Sequence, residues 1–463
     1  TRMTKITCIG AGSVSFGLST LITLLQSEKL RGAEIALVDT NAESLDLMSQ
    51  LALWLNDEWG CGKLISSHSS HKPALPGSDF VISSLETQPR EKLWQQDYEL
   101  TAKYGLRQPY GENGGPGGFA HAARNINTVL GIAKDMEAVC PDAWFINFTN
   151  PMTRLCYLLN EYSSIKTIGL CHQLAMGYAM VTKALAPFYG LDDGEDFVST
   201  HADPANYVAS SRMAKIGLEH FKIQAAGLNH FTWMTALTDR KTGQDLYPVF
   251  RQAWKALDAK FEPLTRKVFD HFALFPIPGD EHLDEYLPWM SNPQTKPWEK
   301  YDLSLYNWEL MAYVRDFQWD HVSDLIAKRE STDMFNDTHS EGALEVIEGL
   351  LSDKEYYWEA VNIPNQGAIT GLPDNAVVEV PAYLSDSKVR AEKIGELPKS
   401  ITGLLHREVT ASQLCVDSVV NGDRQLGIQS LLLDPVVDDL DIAESLLDDI
   451  LEANRSWLPQ FWK

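Results

Sequence analysis

A short apolar run, Lys5–Ile9, gives way to Gly10-Ala11-Gly12-Ser13 and then to a helical stretch near Leu18–Leu25. No other feature constrains the fold as strongly as this strand, glycine turn and helix. Gly10 permits the tight turn, and Gly12 lets a pyrophosphate approach the backbone at the helix N-terminus. Ser13 and Phe16 complete the turn as candidate cofactor contacts, and Ser15 stands in place of the usual third glycine. The next apolar run, Glu34–Val38, ends in Asp39. An acid at that strand end binds the ribose hydroxyls of NAD and repels the 2′-phosphate of NADP. Asp39 also stands where an N-cap would precede a helix over Asn41–Asn56.

Further apolar runs at Phe80–Ser84, Trp144–Phe148 and Lys166–Leu170 alternate with helical stretches, Ile126–Val139 and Met152–Leu159 among them. This alternation predicts an α/β fold with an N-terminal, Rossmann-like, doubly wound parallel sheet. The polar stretch 188–212 places a boundary, giving 1–195 as the NAD-binding domain. Residues 196–463 then form an α+β domain for substrate, metal and oligomerisation. Ligands of such a sheet bind beyond the C-terminal ends of its strands. Those ends carry Gly10 and Gly12, Asp39, Glu86-Thr87, Asn147, Asn150-Pro151 and Cys171-His172. A thiol next to an imidazole is a soft ligand, or a nucleophile, beside a proton carrier. Taken alone the pair reads as a buried cysteine and an ordinary histidine; its weight comes from the company it keeps.

The stretch Gly111–Gly118, which includes Glu112, reads as a loop that closes on a ligand or is simply flexible. A helix is expected to follow near Ala120, with His121 and Arg124 in its first turns. Asn229-His230 falls at the end of another apolar run, within Gly227–Trp233. In Phe275–Pro288, Asp280, Glu281 and Glu285 are candidate general bases, although acids also suit a first helical turn. Charge-rich helical segments then lead to Asn362–Gly367, a strand at Ala376–Pro381 and a helical region at Ser412–Leu433. Asp438–Leu451 reads as an acidic helix, either a solvated face or a subunit contact.

The formal net charge of -24 argues against nucleic acid and anionic membranes as partners. It leaves room for a small substrate, anionic or neutral. No apolar run is long enough to span a bilayer. The six cysteines are scattered without a CxxC spacing, which suits reduced thiols and a cytoplasmic location. Met3 reads as the natural start after Thr1-Arg2. Tryptophans cluster between Trp289 and Trp319, where core packing is the first use and stacking on a sugar the second.

In chain order the motifs are GAGS at Gly10–Ser13, Asp39, the glycine stretch to Arg124, and NFTNPM at Asn147–Met152. Cys171-His172, GLNHFTW at Gly227–Trp233, PGDEHLDEYLP at Pro278–Pro288 and PNQGAI at Pro364–Ile369 follow. This ordered set resembles glycoside hydrolase family 4, the NAD- and divalent-metal-dependent glycosidases that stand outside the two-carboxylate scheme. The resemblance implies oxidation of the sugar at C3, deprotonation at C2, elimination of the leaving group, addition of water and re-reduction. It implies Cys171 and His230 as metal ligands, with Mn2+ the usual ion. A thiolate and an imidazole are soft partners for manganese, so sugar hydroxyls and water must supply oxygen ligands. It further implies Asp280 as the C2 base and His172 as the acid. Asn150 and Glu112 become cofactor, substrate or metal-shell contacts, and His121, Arg124 and Asn229 rim contacts to substrate.

Branches acting on phosphorylated sugars carry Cys-Asp or Cys-Asn where this chain has Cys171-His172. Its motifs are most similar to the α-galacturonidase-like branch, which implies an unphosphorylated, C6-anionic hexoside of the galacturonide or glucuronide type. An α-sulfoquinovoside or a neutral α-galactoside or glucoside is the alternative. Two departures bear on this. His121 stands where arginine is common, and the stretch from Cys171 to His230 is longer than in short members. The family also implies a homodimer or homotetramer. A net hydroxy-acid dehydrogenase, which shares the lactate and malate dehydrogenase superfold, is the competing class; it gives no reason for Cys171 with His230. A non-catalytic NAD sensor is the third reading.

Overall fold

The computed structural model describes residues 3–191, 197, 204–303, 308–328, 331–335 and 341–463, a few side chains excepted. The first six strands are β1 (Lys5–Ile9), β2 (Glu34–Val38), β3 (Leu64–His68), β4 (Phe80–Ser83), β5 (Trp144–Asn147) and β6 (Lys166–Gly169). They pair in parallel in the order β3-β2-β1-β4-β5-β6. Alternate residues of each strand enter opposite cores, as the strand's period of two requires. Ile6, Ile35, Leu37, Ile82 and Ile146 pack on one face. Ile9, Ala36, Val38, Val81 and Phe145 pack on the other. Strands β4 and β5 are buried along their whole length, which explains why they read as unbroken apolar runs. The sequence reading missed β3, because this edge strand, Leu-Ile-Ser-Ser-His, is half exposed and has no apolar run.

Past β6 the same sheet continues through antiparallel strands. These are β7 (Phe221–Leu228), β8 (Phe231–Asp239), β9 (Phe275–Pro276), β10 (Tyr356–Pro364), β11 (Val377–Ser385) and β12 (Lys388–Ala391). The order runs β6-β10-β11-β7-β8-β9, with β12 paired to β11. Two joints are each a single residue pair, Gly169 with Asn362 and Gly227 with Glu379. Gly169 is needed at its joint: a Cβ there would stand 2.6 Å from the sulfurs of Cys156 and Met152. The stretch before Asn362, expected to be helical, ends instead in β10, whose aromatic and β-branched residues suit a half-buried strand. The expected boundary at 195/196 touches residues outside those described.

The helix expected near Ala120 starts at Gly115 and runs to Val139. Its first turn needs glycine, since a Cβ on Gly118 would lie 2.2 Å from the Asn113 carbonyl oxygen. The C-terminal helices Lys399–Asn421, Arg424–Leu433 and Leu440–Ala453 pack beneath it and its neighbours. Leu440–Ala453 is solvated on one side only. Ala443, Leu446, Leu447, Ile450 and Leu451 form a buried stripe at helical spacing. Among the described residues no helix is long and apolar enough to cross a membrane.

Candidate active site

The glycine turn is tied to the neighbouring strands by its own backbone. Gly10 and Ala11 amides both donate to the Val38 carbonyl, at 2.9 and 3.1 Å. Gly10 has φ 81°, and a Cβ on it would stand 2.7 Å from the Ser84 carbonyl oxygen. The Gly12 amide donates to Asp39 Oδ2 at 2.7 Å, and the Asn41 amide donates to Oδ1 at 2.8 Å. Asn41, not Asp39, caps the helix Ala42–Glu58, accepting from the Glu43 and Ser44 amides. Asp39 is thus kept at the strand end where a ribose would lie. Ser13 holds the N-cap position of the helix Val14–Gln26 without a side-chain cap bond. The Phe16 side chain lies outside the described residues.

Further along the same edge, Cys171 follows β6 and His230 occupies the tight turn between β7 and β8. His230 has φ 60°, a conformation that histidine tolerates better than most residues. Cys171 Sγ and His230 Nε2 stand 3.3 Å apart. His230 Nδ1 is held 2.6 Å from the Asn113 carboxamide. The Asn113 atom is its amide nitrogen, which donates to Nδ1 and leaves the ring proton on Nε2, for an incoming cation to displace. Burial, and then Glu379, pushes the Cys171 thiol up. Cation binding must therefore expel a proton. A thiol and an imidazole that converge in this way, with the ring oriented from behind, fit a divalent metal.

A second histidine, His282, lies against the first, with ring centroids 4.1 Å apart and planes tilted by 31°. Its Nδ1 is 3.5 Å from Glu285 Oε2. Glu285 Oε1 accepts from the amides of Gly111, Asn113 and Gly114 at 2.9, 3.3 and 3.3 Å. Burial pushes Glu285 up to about 8 and His282 down to about 4. Arg107 grips Asp284 with two bonds, 3.0 and 2.7 Å, beneath the Trp298 ring, and so pins this segment. The sequence reading left His282 and Asn113 without roles.

Of the remaining expected residues, some join this cluster and some do not. Asn150 donates to Glu112, whose other oxygen lies 3.7 Å from Arg90. Among the described residues the buried Asn150 Oδ1 meets no donor, so an acceptor is left for a ligand hydroxyl. His172 is exposed and pairs with Glu341 at 3.2 Å, which raises it to about 9. Asn229 points its amide at Glu379, 2.8 Å away, where Asn362 also donates at 2.8 Å. It therefore supports the floor beside Cys171. His121 is fully buried, bonded to the Glu112 carbonyl at 2.8 Å and to Glu86 at 2.9 Å, and braces the glycine loop from below.

Two further expected residues are engaged by other parts of the chain. Arg124 makes a buried two-pronged bond to Asp97, at 2.8 and 2.7 Å, and reaches Asn454, so it braces the C-terminal helices. Asp280 places both carboxylate oxygens on the N-terminus of the helix Pro263–His271, accepting from the Leu264 and Thr265 amides at 2.9 and 2.7 Å. That is the chemistry of a cap contributed from a distance. Sequence signals existed for His282 and Asn113, which lie inside motifs already singled out. Glu341, Glu379 and Asn362 had none, because their place depends on how distant strands pair.

The model for family 4 glycosyl hydrolases matches residues 5–186, and that for the family's C-terminal domain matches residues 225–437. An α-glucosidase of Erwinia rhapontici is 28% identical over 98% of this chain and 99% of its own length. An α-galactosidase of Bacillus subtilis is 29% identical, over 99% of this chain and 100% of its own. An α-galacturonidase of Thermoanaerobacterium saccharolyticum is 27% identical, over 99% and 97%. Among solved structures, a 6-phospho-α-glucosidase from gut microorganisms, in complex with NAD and Mn2+, superposes with a TM-score of 0.76. It is 19% identical, with 99% of this chain and 100% of that one covered, and so speaks for the fold. Both halves of the chain, and the motifs that build its sheet edge, thus lead to one conclusion: it belongs to the family 4 glycosyl hydrolases.

Proposed function

We propose that the chain hydrolyses an unphosphorylated α-hexoside, with NAD held at Gly10–Asp39 and a divalent cation, Mn2+ first, held by Cys171 and His230. The observation that carries this is the 3.3 Å approach of Cys171 Sγ to His230 Nε2 on the edge that also bears the glycine turn. When bound, the two groups supply reversible oxidation of the sugar at C3 and positive charge for the anion that follows. The chain does the rest. Cys171 gives up its proton to become a ligand. His172, kept protonated by Glu341, donates a proton to the departing glycosidic oxygen. Asp280 acts by position: its cap holds the segment that brings His282 and Glu285 into the site. Glu112 is then the carboxylate within the cluster for the C2 proton, with Glu285 held by the Gly111, Asn113 and Gly114 amides behind it.

A C6-anionic sugar, uronide or sulfonate, is the first reading of the substrate. Arg90 and His172 are the cations on this rim that would receive it. The second reading is a neutral α-galactoside or α-glucoside. It is favoured by Glu112 and Glu341, which already face those two cations. The test is p-nitrophenol release from α-galacturonide, glucuronide, sulfoquinovoside, galactoside and glucoside, with NAD, Mn2+ and reductant each omitted in turn. Hydrolysis of one sugar that is lost without NAD or after chelation supports the reading. Hydrolysis indifferent to both, or NADH accumulating on a hydroxy acid, rejects it.

A further inference from the structure

We propose that His121 is a positioning residue that ties the cofactor crevice to the Gly111–Gly118 stretch, so that NAD at the glycine turn steadies Glu112. This rests on the reading above that NAD binds at Gly10–Asp39 and that Glu112 works in the site. The crevice of a doubly wound sheet opens where the strand order reverses, which here is between β1 and β4. Glu86 follows β4 closely, just beyond Ser84, whose carbonyl oxygen would stand 2.7 Å from a Cβ on Gly10. His121 Nε2 reaches both carboxylate oxygens of Glu86, at 2.9 and 3.1 Å, and Nδ1 reaches the Glu112 carbonyl oxygen at 2.8 Å. A carbonyl only accepts, and so does an ionised carboxylate. Burial works against its charge, but His121 and Arg90 hold the Glu86 carboxyl below the usual range. Both ring nitrogens therefore donate, and one buried ring joins the two segments.

The same helix face repeats the link one turn later. Residues four apart share a face, and Asn125 is as fully buried as His121. Asn125 Oδ1 accepts from Thr87 Oγ1 at 2.8 Å, and its Nδ2 lies 3.5 Å from the Asn150 carbonyl oxygen. Asn150 in turn donates to Glu112. The face thus holds Glu86-Thr87 on one side and Glu112 with Asn150 on the other. Arg90 spans the same two acids, but at 3.9 and 3.7 Å, beyond hydrogen-bond length. Burying two polar side chains among Ala120, Ala122, Ala123 and Ile126 is costly unless they are bonded. Here the bonds that satisfy them are those that register the rim.

The link transmits order and builds neither end. The glycine turn stands on the Val38 carbonyl and Asp39, and the Gly111–Gly114 amides stand on Glu285. A cofactor that fixes Glu86 therefore suppresses the rare openings of the stretch that carries Glu112. Because that stretch is closed most of the time, its openings can become much rarer at little cost to NAD affinity.

Amide hydrogen exchange across residues 111–114 is measured by mass spectrometry in the full chain, with and without NAD, for wild type, His121→Asn and His121→Gln. The asparagine amide replaces Nδ1 and keeps the Glu112 bond; the glutamine amide replaces Nε2 and keeps the Glu86 bond. Near-UV circular dichroism and NAD titration check that each variant is folded and binds. Glu86→Ala, at a partly exposed position, cuts the link from its other end should the His121 variants not fold. In wild type NAD should slow exchange of these amides by roughly tenfold or more, and in each variant by less than about twofold. NAD affinity should stay within about threefold of wild type throughout. Equal slowing in a folded variant overturns the proposal, as does a wild type that binds NAD without any slowing. None of these readouts needs turnover, so failure to find a hydrolysed glycoside is a separate result. A wild type that does not bind NAD removes both readings.

Discussion

The turn at Gly10–Asp39 and the cluster around His230 lie on one edge of one sheet, yet they are assembled differently. The turn is made by two adjacent strands, and its bonds are backbone amides on a carbonyl and on one carboxylate. The cluster draws on the end of β6, the 111–114 loop, the β7–β8 turn and the 278–288 segment, with Asn362 and Glu379 beneath. A site made of backbone tolerates much change in side chains and little in shape. A site made of side chains from distant segments behaves the other way round. The two should therefore fail independently when each is struck where it is built.

The largest effect is expected from Cys171→Ala or His230→Ala. Either should lower kcat by about 1,000-fold or more and abolish tight cation binding, while NAD affinity stays within about twofold of wild type. Loss of NAD binding in these variants would break the comparison. Gly12→Ala strikes the other region. Its Cβ would stand 2.6 Å from Asp39 Oδ2. NAD affinity should fall by roughly 10- to 100-fold, with Co2+ affinity in the absence of NAD unaltered.

Asp280 supplies a finer test. As a cap, Asp280→Ala should cost about 1 kcal/mol of stability and Asp280→Asn less, with turnover kept within about tenfold in the folded protein. A drop in turnover beyond about 100-fold with an unchanged melting temperature would restore it as the base. A last test concerns Glu408, close enough to Glu285 to feel its charge. Burial, opposed by Arg154, pushes Glu408 up to about 8. In the unfolded chain the group titrates near the ordinary glutamate value, so between about pH 4.5 and 8 the folded state binds the extra proton. Stability should therefore fall as pH rises through that window. Glu408→Gln should flatten the fall, read as denaturation midpoints across the range, leaving the parallel slope from Glu285.

What the sequence revealed follows the same division. β1, β2, β4, β5 and β6 were legible because both faces of each are buried, and an apolar run then has one reading. β3 was not, because its exposed edge carries serine and histidine. Gly10, Gly12 and Asp39 could be placed because a strand, a turn and a strand end are local. Cys171 and His230 were found by motif, and the fold brings them together. The partners of Asp280 and Arg124 were not legible: a charged side chain in a motif announces chemistry, and only the coordinates reveal a partner such as the Leu264 amide or Asp97. Glu379 reaches the site through a strand joint, a fact that no local pattern encodes.

The two single-pair joints, Gly169 with Asn362 and Gly227 with Glu379, are narrow seams in an otherwise laddered sheet. Cys171 lies on one bank of these seams and His230 on the other. On the proposed reading an ion gripping both acts as a rivet across them. At a thousandfold excess over its dissociation constant it would add about 4 kcal/mol to the folded state, most of it as resistance to prising the two banks apart. Chelation should then loosen this seam first, as faster amide exchange in β10 and β7, well before the glycine turn gives way.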